Sequence, residues 1–359
     1  MKVAVFGTKK YDKDSFEAAN ESSKIDFTYL DARLDAKTAT LAADHEAACI
    51  FVNDQCDEEV LQAFKDASVK YIALRCAGFN NVDLKKAEDL GLKVVRVPAY
   101  SPESVAEFAV GMILTIVRKY HKSYLRVREG NFLLDGLTGF NLSSKTVGIV
   151  GTGKIGLLTG KILAKGFGCK VVAYDLYKNE EKAKEYGLEY VETLEELLRQ
   201  SDVISLHCPL TEGENGTRHM INKERLEEMK KGVVLVNTSR GGLIDTNDLI
   251  WALKTGHLGA VGLDVYENES SYFFADSSSK IIYDDNFARL LSFYNVFVSG
   301  HQAFLTEEAL LNIAQTTIQN LKDLEEKGEC QNECKPEKKG DKGGKKEEKA
   351  DEKGGQIEN

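Results

Sequence analysis

The sequence of 359 residues has no excess of positive charge and no long apolar run. Its formal net charge is −10, which argues against nucleic acids and anionic membranes as partners, because both bind clustered positive charge. No apolar run approaches the roughly 20 residues that a membrane-spanning helix needs. The N-terminal segment also has too short an apolar run for a signal peptide, so we expect a cytoplasmic protein.

The seven cysteines show no pairing or metal-binding pattern. Only Cys330 and Cys334 are close in sequence, and no histidine or further cysteine cluster lies near them. Structural metal sites draw their ligands from such clusters, so we predict no metal site. Without a secretory signal, we expect free thiols in a reducing compartment.

Short apolar runs recur along the chain with helical segments between them, in two sets. The first set begins at Lys2, Ile25, Ala47, Tyr71 and Leu92. The second set begins at Lys145, Cys169, Asp202, Gly232, Gly259 and Asn295. Near-continuous apolar strands that alternate with helices are typical of parallel sheets covered on both faces. We therefore predict an α/β protein with two doubly wound parallel-sheet units.

Three other segments complete the predicted organisation. Ser101 and Pro102 begin a strongly apolar helix that we expect to continue to about Lys122. A final helix is predicted over roughly 307–327. The segment 332–359 consists largely of lysine, glutamate, aspartate and glycine, and we predict a disordered tail because it has too little apolar surface to offset the entropy of ordering.

A glycine-rich loop follows the first strand of the second set. In the segment VGIVGTGKIG, Gly151, Gly153 and Gly156 fit the pattern G-x-G-x-x-G between a predicted strand and a predicted helix. These glycines allow a tight turn, close approach of a pyrophosphate and close helix packing. The next strand ends at Asp175, whose carboxylate would accept hydrogen bonds from the adenosine ribose and repel a 2′-phosphate. The predicted cofactor is therefore NAD rather than NADP.

An arginine, several acids and a histidine follow three strands of the second set. Arg240 follows the segment VVLVNTS; Asp264, Glu267 and Glu269 follow GAVGL; and His301 follows NVFVSG. Ligands of doubly wound sheets bind beyond the carboxyl ends of the strands, so we expect these residues at one edge. Arginine clamps carboxylates, histidine transfers protons, and an acid beside it orients the ring and favours its protonated form. The residues alone do not decide between Glu267 and Glu269 as the partner of the histidine.

Two glycines come directly after the arginine. We expect Gly241 and Gly242 to let the chain turn sharply without filling the pocket. Asp245 is the predicted N-cap of the next helix, with Asp248 supporting its first turn.

Five segments, in this order, resemble the D-isomer-specific 2-hydroxyacid dehydrogenases: GTGKIG, HCPLT…HMIN, VLVNTSRGGLIDTNDL, GLDVYENE and SGHQAF. The resemblance covers the chain from Met1 to about Glu329. The segments LRCAGFNNVDL, RVPAYSPESVAEFAVGMIL and DVYENESSYFF are similar more narrowly to the fermentative, NAD-dependent D-lactate dehydrogenases.

The resemblance implies a role for each candidate residue. Arg240 would clamp the substrate carboxylate, and His301, paired with Glu269, would be the proton donor. The implied substrate-binding residues are Ala77, Gly78, Tyr100, Arg240 and Phe304, the first two through backbone N–H groups. The implied NAD-binding residues are Gly151, Gly153, Ile155, Gly156, Asp175, Cys208, Pro209, Thr217, Thr238, Ser239 and Asp264.

The resemblance also implies an architecture and a reaction. A flavodoxin-like substrate domain would comprise 1–100 and 300–331, and a Rossmann NAD domain would comprise 101–299 and form a homodimer. The implied activity is the reversible reduction of pyruvate to D-lactate by NADH. Two alternatives stay open, namely a dehydrogenase for a bulkier 2-oxo acid and an NAD-sensing protein like the transcriptional corepressors that share this fold.

Overall fold

The computed structural model describes residues 1–21, 23–213 and 215–336 of the chain. They form two compact units: one comprises Met1–Thr8, Ile25–Arg96 and the residues from Gln319 onward, and the other comprises Lys9–Lys24 and Val97–Ile318. The predicted functional domains, 1–100 with 300–331 and 101–299, stay a prediction. The helices are α1 (Lys10–Asn20), α2 (Glu58–Asp66), α3 (Leu84–Asp89), α4 (Pro102–Val117), α5 (Tyr120–Arg128), α6 (Lys154–Lys161), α7 (Glu180–Tyr186), α8 (Leu194–Gln200), α9 (Lys223–Glu228), α10 (Thr246–Lys254), α11 (Asp285–Ser292) and α12 (Glu307–Lys327).

The first unit is built on a parallel sheet whose strand order is β2-β1-β3-β4-β5. Its strands are β1 (Lys2–Val5), β2 (Asp26–Tyr29), β3 (Ala47–Ile50), β4 (Tyr71–Leu74) and β5 (Lys93–Arg96). The central strand β3 is buried along its whole length, as expected for a sheet that is covered on both faces. Each predicted strand of the first set is confirmed, and the order is that of flavodoxin-like folds.

The second unit contains a parallel sheet of seven strands, in the order β12-β11-β10-β9-β6-β7-β8. Its strands are β6 (Thr146–Val150), β7 (Lys170–Tyr174), β8 (Leu188–Tyr190), β9 (Val203–Leu206), β10 (Val233–Asn237), β11 (Leu258–Leu263) and β12 (Val296–Val298). The sequence missed β8, whose three residues are too few to give a periodic pattern. The order of strands reverses between β6 and β9, so the loops after these two strands border the crevice where doubly wound sheets bind ligands.

The apolar helix predicted from Ser101 to about Lys122 is two helices. Ser101 caps α4 by accepting a hydrogen bond from the Ser104 N–H, as predicted, but α4 ends at Val117. Lys119 has a left-handed backbone (φ +55°), and α5 begins directly after it. A Cβ at Gly139 would overlap the Val117 carbonyl oxygen, so the returning chain covers the end of α4. The prediction of one continuous helix was wrong because apolar periodicity does not detect this break.

The segment after α12 adds to the edge of the first sheet. The Cys334 N–H donates to the Val94 carbonyl (2.7 Å), and the Arg96 N–H donates to the Asn332 carbonyl (3.1 Å). Residues 332–334 therefore do not belong to a disordered tail, because the open edge of β5 provides backbone partners that composition does not reveal. Residues 335 and 336 are also described, and the rest of the predicted tail, 337–359, lies outside the described residues.

Candidate active site

The glycine-rich loop connects β6 to α6 and is shaped by contacts that exclude side chains. Gly151 has a left-handed backbone (φ +93°), and a Cβ there would lie 2.6 Å from the Cys208 backbone nitrogen. A Cβ at Gly156 would overlap the Gly151 carbonyl oxygen. A Cβ at Gly153 would have no neighbouring atom within 4 Å among the described residues, and no side chain caps the N-terminus of α6. The loop thus leaves exposed backbone N–H groups at a helix N-terminus, which fits a pyrophosphate.

Asp175, at the end of β7, is fixed against this loop. One carboxylate oxygen accepts hydrogen bonds from the backbone N–H (2.5 Å) and hydroxyl (3.1 Å) of Thr152, and the other accepts from the Tyr177 N–H (2.9 Å). The nearest downstream lysine, Lys178, pairs with Glu192 at 2.9 Å. A fixed carboxylate accepts a ribose hydroxyl and repels a 2′-phosphate, which fits NAD.

Arg240 lies on a tightly braced turn after β10. The fully buried Asn237 donates to the Arg240 carbonyl (2.8 Å) and accepts from the Ser239 N–H (3.0 Å). The Ser239 hydroxyl donates to the Cys208 carbonyl (2.7 Å), which joins this turn to the loop after β9. A Cβ at Gly241 would overlap the Tyr266 carbonyl carbon. Gly241 is therefore required by close packing of two loops rather than by the sharp turn that the sequence suggested.

His301 and Glu269 form a direct pair. The Nδ1 atom of His301 donates to Glu269 Oε1 at 2.6 Å, and the second carboxylate oxygen accepts from the Tyr266 N–H at 2.9 Å. The structure thereby decides between the two acids that the residues alone left open. Nε2 of His301 has no hydrogen-bond partner among the described residues, and the residue lines a cavity. The ring is thus oriented from one side and available on the other.

Asp264, at the end of β11, holds the loop that carries His301. Its fully buried carboxylate accepts hydrogen bonds from the Ser299 hydroxyl (2.6 Å) and from the backbone N–H groups of Gln302 and Ala303 (both 2.9 Å). Its carbonyl accepts from the His301 N–H at 2.7 Å. These bonds stabilise His301 in a left-handed conformation (φ +54°) that costs energy for a residue with a side chain.

One cavity within the second compact unit brings together much of the predicted site. Eight predicted residues line it: Tyr100, Ile155, Thr238, Ser239, Arg240, Asp264, His301 and Phe304. The hydroxyl oxygen of Thr238 is buried and has no hydrogen-bond partner among the described residues, as expected of a group that meets a bound ligand. The rings of Tyr100 and Phe304 meet edge to face, with centroids 6.1 Å apart, and form an apolar wall.

Other predicted residues do not line this cavity. Glu269 lies behind His301, and Cys208 supports the glycine-rich loop and the Arg240 turn through its backbone. The Thr217 hydroxyl donates to the Pro209 carbonyl (2.5 Å) on an exposed loop after β9. Ala77 and Gly78 follow β4 in the first compact unit.

Three residues that line the cavity were not predicted from the sequence, namely Val105, His207 and Ala303. His207 directly follows β9 at the sheet's switch point, and that position is the signal that could have identified it. Its Nε2 lies 2.9 Å from the Ser205 hydroxyl, and burial lowers the pKa of His207 to about 4, so the ring is neutral near pH 7. Ala303 is held by Asp264, and Val105 lies on the buried face of α4.

A second histidine–glutamate pair lies beside the Arg240 turn. Nε2 of His219 lies 2.5 Å from Glu267, and its Nδ1 lies 3.3 Å from Asp245. Glu267 also accepts from the Thr246 hydroxyl (2.8 Å), and the His219 N–H donates to the Gly242 carbonyl (2.8 Å). This cluster joins three loops around the base of the turn. Asp245 also caps α10 by accepting from the Asp248 N–H, as predicted.

The described residues contain no group of three or more His, Cys, Asp or Glu side chains placed to hold a metal ion. Within the same residues, no helix combines the length and the apolar character needed to cross a membrane.

Comparison with known proteins identifies the family. Residues 110–303 match the profile described as "D-isomer specific 2-hydroxyacid dehydrogenase, NAD binding domain". A 2-hydroxyacid dehydrogenase A of Aspergillus oryzae is 56% identical over 335 residues, which cover 92% of this chain and 94% of that protein. A D-lactate dehydrogenase of Escherichia coli is 54% identical over 332 residues, which cover 92% of this chain and 99% of that protein.

The solved structures agree with the sequence comparisons. The apo structure of Escherichia coli D-lactate dehydrogenase matches with a TM-score of 0.84 and 52% identity, covering 93% of this chain and 99% of that chain. The geometry of the glycine-rich loop, Asp175 and the residues around His301 is compatible with an NAD-dependent hydride transfer. The chain therefore belongs to the D-isomer-specific 2-hydroxyacid dehydrogenases and is an NAD-dependent dehydrogenase.

Proposed function

We propose that this dehydrogenase interconverts pyruvate and D-lactate. The observation that carries the proposal is one cavity lined by Arg240, His301 and an apolar wall of Tyr100 and Phe304. The arginine suits a carboxylate, the histidine suits the 2-oxo oxygen, and the aromatic wall suits a methyl group rather than a polar side chain. The named activity of the Escherichia coli relative supports the same substrate.

Arg240 is the proposed clamp for the substrate carboxylate. Its planar guanidinium donates two parallel hydrogen bonds to a carboxylate, which fixes orientation as well as charge. The buried Asn237 and the close packing of Gly241 hold the arginine's backbone, so little motion has to be lost on binding. We also propose that the backbone N–H groups of Ala77 and Gly78 donate to the same carboxylate.

His301 is the proposed proton donor for reduction and acceptor for oxidation. NADH, when bound, supplies the hydride to C2 of the substrate. His301 Nε2 donates its proton to the 2-oxo oxygen as negative charge develops there, while Nδ1 stays hydrogen-bonded to Glu269. Glu269 holds the ring in one orientation and stabilises the imidazolium electrostatically, and Asp264 fixes the backbone beneath it.

A panel of 2-oxo acids tests the proposal. NADH oxidation at 340 nm is measured with pyruvate, 2-oxobutyrate and 4-methyl-2-oxopentanoate, and the product's configuration is determined by chiral chromatography. We expect the highest kcat/KM for pyruvate and the D product. A higher kcat/KM for the branched acid would favour the dehydrogenase for bulkier substrates. NADH binding without turnover of any acid would contradict the proposal and favour an NAD-sensing role.

The Arg240→Lys variant tests the clamp in the same assay. A lysine keeps the charge but cannot form two parallel hydrogen bonds, so kcat/KM for pyruvate should fall roughly 10- to 100-fold. NADH affinity should stay unchanged, because Arg240 is proposed to contact the substrate carboxylate and not the cofactor. An unchanged kcat/KM would remove Arg240 from the carboxylate site.

We further propose that the chain forms a homodimer. Helix α5 has no buried residue, and its Tyr124 is 62% exposed. The following segment exposes Phe132 (72%), Leu133 (66%) and Leu134 (77%), an apolar surface that a partner subunit would cover. Light scattering coupled to gel filtration should give the mass of two chains, and Leu134→Glu should shift it toward one. A monomeric wild-type mass would contradict the proposal.

We propose that the protein acts in the cytoplasm. Two of its cysteines are reduced thiols that donate hydrogen bonds. The Cys169 thiol donates to the Leu142 carbonyl, and the Cys330 thiol donates to the Asn320 side-chain oxygen (both 3.3 Å). Reduced, buried cysteines are typical of reducing compartments. Fractionation of the source cells, with activity followed in each fraction, tests this assignment, and recovery in a membrane or secreted fraction would refute it.

A further inference from the structure

The Ala77–Gly78 peptide has a specific cationic partner. Nη1 of Arg96, the last residue of β5, donates to the Ala77 carbonyl at 2.9 Å. The carbonyl of one residue and the N–H of the next belong to the same planar peptide and point in opposite directions. A bond that fixes the Ala77 carbonyl therefore also fixes the direction of the Gly78 N–H.

The charge of this partner affects the strength of the N–H donor. Hydrogen bonds polarise their neighbours, and a peptide group that accepts a hydrogen bond at its carbonyl becomes a better donor at its N–H, by about 10–30% per bond. A guanidinium is a strong partner of this kind, because it carries a full positive charge. The Gly78 N–H is thus both aimed and strengthened as a donor to an anion.

Arg96 is itself fixed on several sides within the first compact unit. Its guanidinium lies 4.9 Å from the centre of the Phe79 ring. Its carbonyl accepts from Asn320 Nδ2 in α12 (2.8 Å), and its N–H donates to the Asn332 carbonyl (3.1 Å). Asn320 is 2% exposed, and its side-chain oxygen also accepts from Asn332 Nδ2 (2.8 Å). Helix α12 and the segment after it thereby brace the arginine.

A second hydrogen bond holds the turn that contains the Ala77–Gly78 peptide. The Cys76 thiol donates to the Gly78 carbonyl at 3.2 Å, so the carbonyls on both sides of the Gly78 N–H have partners. A turn that only needed to reverse the chain would not require a charged side chain from another strand. The arrangement instead suits a peptide group that must present its N–H in one direction.

We propose that Arg96 is a positioning residue for the substrate carboxylate, acting through the Ala77–Gly78 peptide without touching the substrate. The inference rests on the proposed role of the Gly78 N–H as a carboxylate donor. It predicts that Arg96 affects how tightly the acid binds and leaves the hydride and proton steps unchanged, because the carboxylate is held alike in the ground state and the transition state.

The Arg96→Met variant tests the proposal, because methionine keeps much of the side-chain length but has no donor. KM for pyruvate and the inhibition constant of oxamate, a non-reducible isostere, should rise together by roughly 10-fold, with kcat within about 2-fold of wild type. NADH affinity, measured by fluorescence, should not change. Arg96→Lys should recover part of the loss, since an ammonium donates one bond and keeps the charge.

Lys93→Met is the matched control. Lys93 lies on the same strand, and its ammonium donates to the Gly328 carbonyl after α12 rather than to the Ala77–Gly78 turn. It should leave KM and oxamate inhibition unchanged. An equal rise in KM in Lys93→Met would mean that loosening of β5 causes the effect and would overturn the proposal.

Three other outcomes are decisive. An unchanged KM in Arg96→Met would overturn the positioning role, and so would a fall in kcat and NADH affinity together with a lower Tm, which indicates a purely structural role. If Arg96→Met does not fold, Arg96→Gln and Arg96→Lys are measured instead, and wild-type oxamate binding in both would overturn the proposal. Failure of the wild type to reduce pyruvate refutes the proposed substrate alone, since oxamate binding in the presence of NADH still reports the carboxylate contact.

Discussion

His301 and His219 each pair with a glutamate from the four-residue segment YENE, yet the two pairs do different work. Glu269 meets only Nδ1 of His301, and the ring's other nitrogen is left without a partner among the described residues. Both ring nitrogens of His219 face carboxylates, Glu267 at 2.5 Å and Asp245 at 3.3 Å. One pair can exchange a proton with a ligand, whereas the other joins loops.

A histidine–glutamate contact therefore does not by itself identify a catalytic pair. What distinguishes the pairs is the second ring nitrogen and what it faces. His301 lines the cavity that also contains Arg240, while His219 is partly exposed beside the Arg240 turn. The second pair still matters for the site, because it helps to hold the turn from which Arg240 extends.

The largest expected effect comes from His301→Asn. The variant removes the proposed proton donor and should lower kcat for pyruvate reduction by roughly 1,000-fold or more, while NADH affinity stays within about 2-fold. Steady-state rates at 340 nm and NADH fluorescence titration measure both quantities. A kcat within 10-fold of wild type would contradict the proposed role of His301 as proton donor, and with it the functional difference from His219.

Glu269→Gln should have the next largest effect. The amide can still orient the His301 ring but brings no charge to stabilise the imidazolium, so kcat should fall roughly 10- to 100-fold at neutral pH. The same substitution two residues earlier, Glu267→Gln, is the matched control. Equal losses in both variants would refute the assignment of Glu269.

The His219→Gln variant should mainly affect stability. Its pair is partly exposed, so the loss should lower Tm by roughly 1–3 °C, and kcat should change by less than about 3-fold. Scanning calorimetry and steady-state kinetics give the two numbers. A large fall in kcat with an unchanged Tm would show that this pair takes part in the chemistry.

The smallest expected effect concerns His207, a third histidine that has no carboxylate beside it. Burial lowers its pKa from 6.5 to about 4. The unfolded chain therefore takes up a proton at higher pH than the folded chain, and the free energy of unfolding falls as the pH drops from about 6.5 to about 4. His207→Gln should reduce the Tm loss between pH 7 and pH 5 by roughly 1–3 °C. Parallel Tm losses in both proteins would contradict this origin.

Apart from the three-residue strand β8, the strands and the caps were predicted from the sequence because their signals are local. The apolar run of β10, the capping side chain of Asp245 and the glycines from Gly151 to Gly156 each reflect the needs of their own short segment. Features that depend on contacts between distant parts of the chain were not predicted from the sequence. The packing of Gly139 against the end of α4 and the pairing of 332–334 with β5 are both contacts between residues that are remote in sequence.

The α/β class, the NAD fingerprint and the three strand ends followed by Arg240, the acids of YENE and His301 could be predicted from the sequence, because periodicity and turn chemistry depend on consecutive residues. The residues alone, apart from the family resemblance, left open which glutamate meets His301, and the fold places Glu269 against His301 and Glu267 against His219. The backbone N–H of Tyr266 and the carboxylate of Asp264 set these pairings by orienting loops that the sequence merely places side by side. Side chains two positions apart in one loop can reach different partners, and three-dimensional packing selects between them.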